Sequence, residues 1–98
     1  MSSELLNARD AVVDERSFRE FLQLLAADWE DERAKEAITP SNPYSAGANG
    51  WENTTIGAYL DAAATWAEAS AQGTPFYQPP ANSWRRCADI LYAGKIYE

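Results

Sequence analysis

The chain is expected to fold as one compact all-α domain of three principal helices, with a long first loop and a Pro-rich second connection. Three observations point there. Large apolar residues recur at helical spacing in three separate stretches. Residues suited to helix capping precede each stretch, and proline and glycine gather between them. The 98 residues, 46% apolar and 12% aromatic, can bury one core, roughly 60–68% of the unfolded surface, without disulfides or metals.

Residues 1–13 hold Leu5, Leu6, Val12 and Val13 without a sustained period. They read as an N-terminal arm, either a short helical turn or a frayed segment that docks its valines. A strand over Ala11-Val12-Val13 would have no obvious partner. The helical domain spans 14–98. Within it, Ser17-Phe18-Arg19-Glu20 fits the capping box, in which serine and glutamate satisfy reciprocal backbone donors. Phe18, Phe21, Leu22, Leu25 and Trp29 then share one face of a helix expected to end near Ala37. The pairs Glu15–Arg19, Arg16–Glu20 and Asp31–Lys35 support its polar side.

Residues 39–50 are a loop by composition, and a long one for a small domain. The second helix starts at a cap on Asn53, Thr54 or Thr55 and runs to about Ala71, with Gly73 placed to stop it. Its stripe is Ile56, Tyr59, Leu60, Ala63, Trp66 and Ala67, and its many alanines admit a neighbouring helix closely. The connection 73–82 is stiffened by proline and is expected to lay Phe76 or Tyr77 against the helices. The third helix begins at a Ser83 cap and buries Trp84, Cys87, Ala88 and Leu91. Gly94 either ends it or weakens it. Trp29, Trp66 and Trp84, one per helix, are expected to meet in the core. Trp51, just ahead of the second helix, reads first as a hydrophobic staple and second as an exposed interface anchor.

Net charge is −7 and histidine is absent. That removes the usual general base, metal ligand and pH switch. The acidic balance opposes binding to nucleic acid and to anionic membranes, and favours basic partners. The single Cys87 excludes an internal disulfide and has no histidine to activate it. No signal peptide or apolar span is evident, so a cytoplasmic location is expected. No phosphate-cradling glycine loop and no metal-ligand spacing occur, so no cofactor is expected. Arg85-Arg86 beside Trp84 is a poor nucleic-acid patch in so acidic a chain.

The densest charge feature lies in the first predicted helix, where Asp28, Glu32 and Glu36 recur at i, i+4 and i+8 beside Glu30 and Asp31. The plain reading is a solvated face interleaved with Arg33 and Lys35. The functional reading is a docking surface for a basic partner, because like charges at that spacing cost helix stability. The candidate partner-binding residues are therefore Asp28, Asp31, Glu32 and Glu36, with Tyr44 in the long loop and Trp51 as aromatic anchors.

Trp51-Glu52-Asn53-Thr54-Thr55-Ile56, then Tyr59-Leu60-Asp61-Ala62, Trp66, Ser83-Trp84, and the ending Leu91-Tyr92-Ala93 to Ile96-Tyr97-Glu98 carry a resemblance. The chain resembles, over residues 12–98, a small uncharacterised bacterial family, a domain of unknown function. Its pattern is Trp-x-Asn-x-Thr/Ser-Leu, a helix ending in Trp, a later Trp and a terminal Tyr-Glu. Ile56 stands where leucine is usual and Gly94 where alanine is usual. The resemblance implies the same helical fold and a bacterial or phage source, and transfers no catalytic residue.

On these grounds the chain is expected to be a non-enzymatic protein-binding domain. The specific expectation is an inhibitor or immunity-type protein that masks a basic partner such as a toxin. The competing readings are a homodimeric adaptor or structural domain, a nucleic-acid mimic, and an enzyme using carboxylates in an aromatic cleft.

Overall fold

The computed structural model describes residues 2–98, with side chains described from Glu4 onward. Over the described residues it is all-α, with four helices: α1 (Ser2–Asp10), α2 (Glu15–Ile38), α3 (Ile56–Ser70) and α4 (Ser83–Ile96). Among the described residues the only β feature is an isolated bridge between Thr74 and Tyr77. No described helix is long and apolar enough to cross a membrane. The three principal helices expected correspond to α2, α3 and α4, and the N-terminal arm, expected as a short helical turn or a frayed segment, forms α1. Its Leu5 is buried in the core. The turn after α1 sends Val12 inward and Val13 out to solvent, so only one of the two valines docks.

The start of α2 differs from expectation by one turn. Its N-cap is Asp14, held in extended conformation, and the capping box joins Asp14 to Ser17. The Ser17 amide donates to Asp14 Oδ1 at 2.9 Å, and the Asp14 amide donates to Ser17 Oγ at 3.1 Å. A carboxylate is a strong acceptor and meets the positive end of the helix dipole, so Asp14 takes the cap ahead of Ser17. Glu20 is left to pair with Arg16 at 3.6 Å. Phe21 and Leu25 then enter a core shared with Leu5, Val12, Trp51, Ala88 and Tyr92.

Helix α3 is capped by Thr55, whose hydroxyl accepts the Ala58 amide, and Gly73 at φ +86° turns the chain after it. Buried Ala62 and Ala63 keep its surface low where it packs on α4. The Tyr59 hydroxyl donates to the Leu91 carbonyl at 2.7 Å. Its ring lies against Gly94, where a Cβ would fall 2.6 Å from the ring. Gly94 is therefore neither the end of the helix nor a weak point in it, but the seat of Tyr59. Helix α4 is capped by Asn82 one residue earlier than expected, and the same amide donates to the Val13 carbonyl at 2.9 Å, tying the helix start to the α1–α2 corner.

The tryptophans do not converge. Trp29 and Trp84 are each more than a third exposed, Trp84 tilted against Phe18 at 5.4 Å. Trp66 stacks edge-on with Tyr77 at 4.9 Å. Trp51 is the buried one, 6.0 Å from the Tyr59 ring. Cys87 faces solvent, contrary to the stripe assigned to it. Of the two aromatics in the second connection, Tyr77 packs inward and Phe76 stands fully exposed.

Candidate functional site: an apolar groove between α2 and α3

The acidic row of α2 faces the 39–50 loop and the segment after it. Glu32 is 0% exposed. Its Oε1 accepts the amides of Asn49 (2.8 Å) and Trp51 (3.2 Å), and its Oε2 accepts from Arg33 at 2.6 Å. Gly47 lies so close to this carboxylate that any Cβ there would overlap it. Glu36 accepts from the Ser41 amide and hydroxyl and from the Ala48 amide at 2.5–3.0 Å. These bonds, led by the Ser41 hydroxyl, hold its carboxyl below the ordinary range. Asp28 Oδ2 accepts from the indole of Trp51 at 2.9 Å and from the ammonium of Lys95 at 2.6 Å. Lys95 is almost wholly buried and also lies over the Trp51 ring at 5.5 Å. Asp31, exposed, holds Lys35 at 2.8 Å and the side chain of Asn49 at 3.0 Å, and both lower its pKa.

Of the six residues singled out from sequence, five thus hold the loop to α2. Glu32 and Trp51 are buried, and Asp28 and Glu36 are partly so. Asp31 and Tyr44 are exposed, Tyr44 fully so at the loop tip. The loop brings backbone N–H groups that need acceptors, and the carboxylates of α2 supply them.

The exposed feature that the sequence did not disclose is apolar. Helices α2 and α3 do not pack on each other; α2 packs on α1 and α4, and α3 on α4. Between them runs an open groove of about 500 Å³. Leu22, Ala26 and Trp29 form one wall, Ile56 and Leu60 the other, and Leu25, Trp51 and Tyr59 line it further. Ile56 is 81% and Leu60 58% exposed. All four large groove-wall residues belong to stripes read as core. Periodicity shows which residues share a face; whether another helix covers that face is a separate matter.

One base stands over the groove wall: the Arg33 guanidinium lies 5.7 Å from the Trp29 ring and pairs with buried Glu32. Glu30 is the one charged residue in its lining. Glu52 adjoins the lining residues Trp51 and Asn53, and Asp61 adjoins Leu60. None of these three acids is ion-paired among the described residues. Every base except Arg86 holds a carboxylate elsewhere in the molecule. Arg86 donates to Ser70 Oγ and the Ala67 carbonyl and lies over the Trp66 ring.

A second concavity, about 330 Å³, lies where α1 and α4 meet the Trp66–Tyr77 pair and the C-terminal segment. Buried Asp89 stands at its base, accepting from Tyr77 at 2.6 Å and Arg85 at 2.9 Å, with Arg9 at 3.7 Å. Arg85 and Arg9 also hold Asp10. Burial and the bond to Asp89 push the Tyr77 phenol up. These guanidinium groups are engaged with the protein's own carboxylates, and Arg85 and Arg86 form no basic patch with Trp84. Among the described residues no group of His, Cys, Asp and Glu is placed to hold a metal ion.

Fold and surface together define a small acidic helical domain with an unfilled apolar groove. Residues 14–98 match DUF7660, a family of unknown function, and the chain belongs to that family. The match begins at Asp14, the cap of α2, and leaves α1 outside it. No curated protein and no solved structure matches the chain.

Proposed function

We propose that the chain is a non-enzymatic protein-binding domain of the inhibitor or immunity type, acting in the cytoplasm by masking a basic partner such as a toxin. The observation that carries the reading is the groove between α2 and α3: open, apolar and lined at one point by Glu30, a carboxylate without an internal counter-ion among the described residues. Exposed apolar surface of this kind marks interaction sites, and a buried apolar centre with a charged rim is how specific interfaces are built. The acidic rim raises the encounter rate with a basic surface and makes it dependent on salt.

The test is affinity measured against ionic strength. A partner captured on the immobilised protein is identified, purified and titrated from low salt to well above physiological salt. A basic partner whose association rate falls as salt rises supports the reading. An acidic partner, or an association indifferent to salt, overturns it.

A further inference from the structure

We propose that the α2–α3 groove is a slot for one amphipathic α-helix of a partner protein, apolar on the face that enters and basic along its flanks. The inference rests on the binding-domain reading above and deepens it by naming the occupant. Three observations carry it.

The first is length. Leu22 and Trp29 stand seven residues apart on α2, about 10 Å along the helix axis. That is the spacing of positions i and i+7 on a helix laid beside α2, with i+3 and i+4 between them to meet Ala26 and Leu60. The second is the shortage of hydrogen-bonding groups: Thr54 and Glu30 are the lining's only oxygen-bearing side chains without a partner among the described residues. The side-chain amide of Asn53 is committed to the carbonyls of Gly94 and Tyr97, and Thr55 Oγ caps α3. An extended peptide would bring unpaired N–H and C=O groups into this apolar trough. A helix satisfies its own backbone and brings only side chains.

The third is charge. Glu30, unpaired within the groove among the described residues, calls for lysine or arginine on the occupant, while Arg33 over Trp29 is already paired with Glu32. A second copy of this chain meets that demand poorly. It carries net charge −7, and its bases are already engaged internally.

The experiment uses three synthetic peptides of about 18 residues, long enough for five turns. One has leucine at i, i+3, i+4 and i+7 with lysine elsewhere; the second keeps the stripe and replaces lysine by glutamate; the third keeps the lysines and scrambles the leucines. Each is titrated by calorimetry into the full chain, into Leu60→Glu and Ile56→Lys, and into Phe76→Ser, which alters an exposed residue outside the groove lining. Both groove residues are exposed, so their variants retain the core, and circular dichroism verifies it. The expected result is one-to-one binding of the striped lysine peptide, weakened at least about tenfold by each groove variant and unchanged by Phe76→Ser. The glutamate and scrambled peptides are expected not to bind.

Equal binding of the scrambled lysine peptide overturns the slot while leaving the basic-partner reading standing. Equal binding of the glutamate peptide overturns the basic occupant, and with it the charge argument of that reading. Binding of no peptide overturns the slot. Sedimentation of the wild type as a dimer that Leu60→Glu dissociates makes the groove a self-interface, and also overturns it.

Discussion

At the scale of single residues, Gly94 and Lys95 carry the most tension. The Tyr59 ring occupies the space a Cβ at 94 would need. Gly94→Ala is expected to displace that ring and to destabilise the fold by about 1–3 kcal/mol, measured by urea unfolding. Lys95 sits beside Asp28 with both side chains nearly excluded from solvent. Lys95→Met strands the carboxylate and is expected to cost about 3–5 kcal/mol by the same measurement. Burial pushes the Tyr59 phenol up to about 12. Its folded pKa exceeds the unfolded value of 10.0. The stabilising contribution is therefore complete below that value and is lost as pH rises towards 12. Tyr77 and Tyr92 are also raised by burial. Spectrophotometric titration is expected to show tyrosines ionising late in the folded protein, and Tyr59→Phe to remove the component near 12.

At the scale of elements, the α2 carboxylates act as a rack for the 39–50 loop. The carboxyls of Asp14, Asp31 and Glu36 all lie below their ordinary values, through Ser17, Lys35 and Ser41 respectively as the leading causes. A depressed folded pKa gives stability that is present above the unfolded pKa, 3.8 for aspartate and 4.5 for glutamate. It is lost as pH falls through the folded value. The urea midpoint is expected to fall as pH drops below that range, and less steeply in Glu36→Gln. In that variant the amides of Ser41 and Ala48, which Glu36 now binds, should exchange with solvent faster. The helices themselves were legible from sequence because caps and apolar spacing act within a few residues. The capping of α2 was misplaced by three residues because Asp14 and Ser17 both qualify, and only their backbone conformations separate cap from first turn. The loop's attachment was not legible at all. It depends on backbone N–H groups, which every residue but proline carries, meeting carboxylates up to 19 residues away in the chain.

At the scale of the molecule, α1 is outside the family match yet inside the core. Removing residues 1–13 exposes the sites of buried Leu5 and Val12, each worth about 1.5–3 kcal/mol. The truncated chain is expected to lose several kcal/mol in urea unfolding, with a lower midpoint. The groove makes the opposite prediction. Leu60→Glu changes a side chain that touches solvent and is expected to shift stability by no more than about 0.5 kcal/mol, while removing partner binding. A variant that keeps the fold and loses the partner separates function from architecture.

What the chain carries in its own order of residues is the helical class, the three long helices to within a few residues, the breaks between them and the excess of negative charge. Each is local or additive. Caps, periods, proline and glycine act over one or two turns, and net charge is a sum. The fate of each face depended on assembly. Asp28, Glu32 and Glu36 read as a solvated face and became the attachment of a distant loop, which brought donors to them and buried Glu32. Leu22, Trp29, Ile56 and Leu60 read as core and became a groove, because α2 and α3 both pack on α4 and leave their facing stripes apart. Burial is a property of pairs of elements, and no single element's sequence states which partner will arrive.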